Sequence, residues 1–177
     1  MWRQIRGYSL YELLMTLTLI ALIVGLGLPS FSGLVARNRQ HVEINALFHA
    51  IHLARKESIM RHRVVSLCPS LDGLNCAHGR DWSTGWLMFE NADKDEPPRR
   101  DEGEALLQTH IVGENIQIMA NRRGFTLRAT VRRATNGTIV VCDLAGRIPP
   151  KALVISYTGR PRVALKTPRG EPYSCAD

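Results

Sequence analysis

The stretch Gly7-Tyr8-Ser9-Leu10-Tyr11-Glu12 runs directly into residues 13–36, LLMTLTLIALIVGLGLPSFSGLVA, twenty-four positions without a charge. As a helix rising about 1.5 Å per residue, that run reaches about 36 Å, more than the roughly 30 Å hydrocarbon core of a bilayer. It predicts a membrane-spanning helix over residues 8–36. Arg3 and Arg6 precede it, and positive charge on that flank keeps the amino-terminal end in the cytoplasm and sends the rest outward. A secretory signal ends its apolar run in a small-residue cleavage site, whereas here the candidate processing signal, Gly7 before Tyr8, lies ahead of the run. Cutting there leaves the helix on the mature chain. Glu12 is then a carboxylate at the head of an uncharged helix, where an unpaired charge is costly. A new α-amino group at Tyr8 of a neighbouring subunit supplies the opposite charge. Pro29 removes the hydrogen bond to the Gly25 carbonyl, so the helix is expected to be weak there, with Gly25 and Gly27 beside it.

The whole chain has 177 residues and a formal charge of +7. Residues 37–177 give room for one globular head with its own core and no room for a second. The charge is unevenly spread: residues 71–114 hold ten acids against four bases, and residues 115–170 hold eleven bases against one acid, Asp143. The carboxy-terminal half is therefore a candidate surface for a polyanion. Cys68, Cys76, Cys142 and Cys175 follow a segment whose orientation exports them, which makes disulfides the default. Three pairings are open, and the small turn-rich loop between Cys68 and Cys76 favours joining those two and leaving Cys142 for Cys175. Neither cysteine pair has the two-residue spacing of a zinc site.

Past Pro29, Ile44, Leu47, Phe48, Ile51 and Ala54 form one apolar stripe at helical spacing. The helix is expected to continue to about Met60, with Arg37, Arg39, Glu43, Arg55, Lys56 and Glu57 on its other face. His41, His49, His52 and His62 read as surface residues, with no thiol or carboxylate completing a metal set. Short β-branched runs follow at residues 64–68, 86–89, 106–112, 116–119, 125–131, 138–142 and 153–157, separated by turn residues. Asn136-Gly137 is a hairpin signal, and Trp82 and Trp86 are candidate core. The acidic stretch 91–104 with Pro97-Pro98 reads as an exposed loop, without the glycine turn and terminal ligand of a calcium loop. The architecture is α+β: one long helix packed on an antiparallel β-rich head.

Gly7 through Glu12 and the apolar helix resemble the class III leader of type IV pilins and pseudopilins. That resemblance implies a leader over residues 1–7, cleavage by prepilin peptidase between Gly7 and Tyr8, methylation of Tyr8, and Glu12 as the assembly glutamate. Tyr8 departs from the Phe or Met most common at that place. In the head, residues 65–73, Trp82, Gly85-Trp86, Phe89, residues 138–142 and Tyr157-Thr158-Gly159-Arg160 are similar to the GspH/FimT family of minor pilins and pseudopilins. The implied fold is the type IV pilin-like fold. The implied partners are other major and minor pilins, the inner membrane before assembly, and the peptidase.

Neither a nucleophile elbow nor a phosphate-cradling glycine loop occurs, and the chain does not read as an enzyme or as needing a cofactor or metal. The informative stretch is Gly159-Arg160-Pro161-Arg162, followed by Lys166 and Arg169. Gly159 permits a tight turn and Pro161 stiffens it, which predicts a constrained loop carrying two guanidinium forks suited to phosphate oxygens. A Gly-Arg-x-Arg motif here is similar to that of FimT-type minor pilins. The resemblance implies double-stranded DNA as a partner, bound largely without regard to sequence during natural transformation. The alternative is a structural minor pilin, or a GspH-like pseudopilin of type II secretion, with protein partners only.

Overall fold

A computed structural model of the chain describes residues 7–130 and 134–175, apart from the side chains of residues 26–30. The expected strand residue Val131, the bases Arg3, Arg6, Arg132 and Arg133, and the side chain of Pro29 lie outside the described set. The chain divides between Val35 and Ala36 into two units. One helix, α1 (Leu10–Arg61), contributes to both and is continuous through position 29.

In the first unit, Ser9 caps α1: its Oγ accepts from the Glu12 backbone N–H at 3.2 Å. Ser9 with Glu12 three residues on is the capping-box spacing, and a carboxylate in the first turn suits the positive end of the helix dipole. Thr16 and Thr18 return their hydroxyls to the carbonyls of Leu13 and Met15, at 2.8 and 2.9 Å. The apolar side chains of Leu13, Leu14, Leu17, Leu19 and Ile20 are exposed. Among the described residues no helix is long and apolar enough to cross a membrane.

The second unit is the head. Eight strands follow the helix: β1 (Val65–Pro69), β2 (Gly85–Glu90), β3 (Leu106–Ile111), β4 (Ile116–Ala120), β5 (Phe125–Leu127), β6 (Gly137–Asp143), β7 (Lys151–Ile155) and β8 (Pro161–Ala164). They form two antiparallel sheets, β3-β2-β1-β5 and β4-β6-β7-β8. The helical stripe Ile44, Leu47, Ile51 and Ala54 is buried in one core with residues of both sheets, among them Leu67, Trp86, Ile118, Ile139 and Leu153. Trp82 is also in that core, its ring 5.7 Å from that of Phe125.

Three readings change here. Glu43 is buried rather than on the solvent face: its carboxylate accepts from His110 Nε2 at 2.8 Å and from the Gly113 N–H at 3.0 Å. It clips α1 to β3 and the residues after it. Asn136-Gly137 does not join β5 to β6, because those strands lie in different sheets. Gly137 instead opens β6 where a Cβ would lie 2.5 Å from Asn121 Oδ1 and 2.8 Å from the Phe125 ring, so packing demands glycine there. The acidic loop is not simply exposed: Asn91 and Glu104 are buried. The Glu104 carboxylate accepts from the N–H groups of Ala92 and Asp101, at 2.6 and 3.0 Å.

Beyond β6, Asp143 holds Arg147 in a fork, with Nε to Oδ2 at 2.9 Å and Nη2 to Oδ1 at 2.5 Å. The hydrogen bond from Arg147 holds the Asp143 carboxyl below the usual carboxylate range, against burial, which pushes it up. A carboxyl lowered on folding adds stability that is present above its unfolded value near 3.9 and is lost as pH falls through the lower folded value. Asp143→Asn is expected to cost about 2 kcal/mol near neutral pH. It should also flatten the acid limb of a stability-against-pH curve measured by urea unfolding.

Candidate nucleic-acid interface

Strands β7 and β8 are joined by a tight turn. Gly159 N–H donates to the Ser156 carbonyl at 2.9 Å, and Ser156 N–H donates to the Arg160 carbonyl at 3.2 Å. The Ser156 hydroxyl lies 2.8 Å from that of Thr158 and 3.3 Å from the Arg160 nitrogen. Gly159 has φ 71°, the left-handed conformation that favours glycine. It is buried: a Cβ built on it would lie 3.4 Å from the Ala134 Cβ and 3.6 Å from both Arg55 Cδ and Leu127 Cδ2. The turn is thus seated on β5 and on the aliphatic stem of an α1 arginine. That stem of Arg55 had been assigned to an open helix face; nothing in helical spacing indicates that a hairpin some hundred residues later covers it.

The motif is a hairpin rather than a free loop. Pro161 begins edge strand β8 opposite Ile155, and Arg162 stands opposite Val154. Proline is acceptable at the first residue of an edge strand, because no ladder partner needs its nitrogen. Pro161 is buried, whereas Arg160 and Arg162 are exposed. Arg160 precedes β8 and Arg162 lies within it, so the two exposed arginines flank the buried Pro161, at most about 7 Å apart along the backbone.

The tail carries the other two bases. Thr167 N–H donates to Glu171 O at 2.8 Å and Gly170 N–H to Thr167 O at 2.9 Å, closing a second turn with Arg169 in it. Lys166 pairs across that turn with Pro172. Cys175 is bonded to Cys142 of β6, which ties the tail back to the sheet, and Cys68 is bonded to Cys76. Among the described residues, the side chains of Arg160, Arg162, Lys166 and Arg169 make no ion pair, and all four are exposed.

Other bases of this half are used differently. Arg147 is committed to Asp143, and Arg128 forms an ion pair with Glu96. Lys151 Nζ lies 3.0 Å from His41 Nε2. Gly7, Tyr8 and Glu12 belong to the first unit, where Tyr8 and Glu12 are exposed. The described residues contain no cluster of potential metal ligands.

Two four-stranded antiparallel sheets packed with one long helix, two disulfides and a basic closing hairpin define a pilin-type head. The family model described as Type II transport protein GspH matches residues 43–159, and the chain belongs to that family. No curated protein matches it. Among solved structures, the head is similar to the type IV minor pilin FimU of Pseudomonas aeruginosa, strain PAO1. That likeness has 20% identity and a TM-score of 0.55, over 78% of this chain and 96% of that one. It is also similar to the minor pseudopilin EpsH from the Type 2 Secretion System of Vibrio cholerae, with 9% identity and a TM-score of 0.52, over 71% of this chain and 96% of that one. At these identities the likeness is one of fold.

Proposed function

We propose that this chain is a type IV minor pilin whose head binds double-stranded DNA through the phosphate backbone, for uptake in natural transformation. The observation that carries the reading is the pair Arg160 and Arg162: exposed, free of ion pairs among the described residues, and held on a hairpin whose glycine is buried. Pre-ordering lowers the entropy lost on binding, and guanidinium forks match phosphate oxygens. Lys166 and Arg169, on the tail tied by Cys142 and Cys175, widen the field. Contacts of this kind position a duplex without reading its sequence. In the same proposal, prepilin peptidase cuts after Gly7, Tyr8 becomes the methylated amino terminus, residues 8–36 anchor the chain in the inner membrane, and Glu12 pairs during filament assembly with other pilins.

The test is duplex binding by the full chain in a non-ionic detergent, titrated between about 50 and 200 mM salt. Four neutralised phosphates, one at each of these bases, give a logarithmic salt slope of about −3.6, an affinity loss of about 150-fold across that range, and any further cation in the footprint steepens it. Absence of binding, or a slope near zero, would overturn the reading. The description of the matched family as a transport protein favours a second one, a subunit of a secretion pseudopilus with protein partners only; that outcome would select it.

A further inference from the structure

Several clefts on the head are lined by arginines, and ion pairing separates two of them. The larger, about 540 Å³, holds Arg61, Arg63, Lys94 and Arg128. Its charge is largely answered by neighbouring carboxylates: Glu90, in the lining, pairs with Arg61 and Arg63, and from outside it Glu57 pairs with Arg61 and Glu96 with Arg128. The smaller, about 430 Å³, is lined by Arg80, Arg122 and Arg123 with Glu96, Pro98 and Thr135. Its one carboxylate, Glu96, is already paired with Arg128. Arg122 uses only Nε, donating to the Asn136 carbonyl at 3.3 Å, and among the described residues the guanidiniums of Arg80 and Arg123 have no partner. Three cations thus face one cleft with their charge unspent.

The backbone brings them there. The Ala120 N–H donates to the Arg80 carbonyl at 2.9 Å, and Asp81 bridges to Met119, so Arg80 lies beside the turn from β4 to β5 that carries Arg122 and Arg123. The same stretch of chain links this cleft to the β7–β8 hairpin. Ala134 supports Gly159 and donates its N–H to Tyr157 O at 3.2 Å, Thr135 lines the cleft, and Asn136 holds Arg122. Ala134 and Asn136 are two residues apart, at most about 7 Å of chain, so the hairpin turn and Arg122 are both held by one short segment.

We infer that Arg80, Arg122 and Arg123 form a second phosphodiester-binding subsite, so that one nucleic-acid backbone runs from the hairpin arginines into this cleft. The inference rests on the proposed DNA-binding reading and extends its footprint to Arg80, in the stretch of chain otherwise rich in acids, and to Arg122 and Arg123.

The test compares duplex binding by the full chain in non-ionic detergent with that of Arg80→Ala/Arg123→Ala, Arg80→Lys/Arg123→Lys and Arg160→Ala/Arg162→Ala. Arg122 is kept because it holds Asn136. Thermal unfolding of each variant checks that the head is intact. The alanine pair at 80 and 123 is expected to weaken binding about 10-fold at about 0.1 M salt and to reduce the slope by about 1.8, with the lysine pair restoring most of the slope. Unchanged affinity and slope in that alanine variant, with binding lost in the hairpin variant, would overturn the subsite alone. No binding by the unmodified chain would overturn the subsite and the DNA reading together. An effect seen with a sulfated polysaccharide but not with duplex would also overturn it.

Discussion

Alanine at both Arg160 and Arg162 is expected to weaken duplex binding about 30-fold at about 0.1 M salt, the loss of about 2 kcal/mol for two exposed charge-assisted contacts. The salt slope should become shallower by about 1.8, because two fewer counterions are released per complex. The fold should be untouched: both side chains are exposed and unpaired, and the turn is closed by backbone groups of Ser156, Gly159 and Arg160. Salt-dependent titration by fluorescence anisotropy reads both quantities. Lysine at the two positions should keep the slope and lose part of the affinity, since an ammonium has charge without the fork. An alanine variant that keeps both affinity and slope would remove the hairpin from the interface.

The second large effect is on stability. Glu43→Ala is expected to cost about 3 kcal/mol, measured by urea unfolding of the full chain. The Glu43 carboxylate is 5% exposed and answers His110 Nε2, while its other oxygen takes the Gly113 N–H. Removing it takes away two charge-assisted hydrogen bonds at once, from the half-buried His110 and from the backbone of Gly113, and His110 is further fixed by stacking on Trp86 with ring centroids 5.1 Å apart. Glu43→Gln keeps the volume and one acceptor oxygen, so it should recover about half of the loss. Equal losses for alanine and glutamine would show that charge, rather than hydrogen bonding, holds this joint.

The helix with its apolar stripe was legible because 3.6-residue spacing reports a buried face directly, and Ile44, Leu47, Ile51 and Ala54 are all in the core. Glu43 was not, since a charged residue beside such a stripe looks solvated until its partners, some seventy positions away, are in place. The β-rich head was legible from short β-branched runs, but its division into two sheets was not: strand pairing is a long-range choice, and Phe125–Leu127 joins β1 while β6 joins β4 and β7. Strand β8 was hidden because Gly159 and Pro161 read as turn residues, although proline at the start of an edge strand costs no hydrogen bond. In the basic half, spacing could not tell Arg147, spent on Asp143, from Arg160, which is spent on nothing. Arg80 was concealed by its place in the acidic stretch 71–114, because only the folded chain brings it beside Arg122 and Arg123.

The bond between Cys142 and Cys175 gives the basic surface a history. Arg160 and Arg162 owe their positions to a hairpin that closes by itself, whereas Lys166 and Arg169 lie on a strip of chain whose far end is tied only once two thiols have been oxidised. In a reducing compartment that strip is a tethered tail with one end loose, and its cations are spread over the volume the tail can sweep. Oxidation gathers them against the sheet. On the proposed reading, the full set of four cations belongs to the oxidised, exported molecule, and a reduced copy is expected to bind duplex more weakly than the finished one.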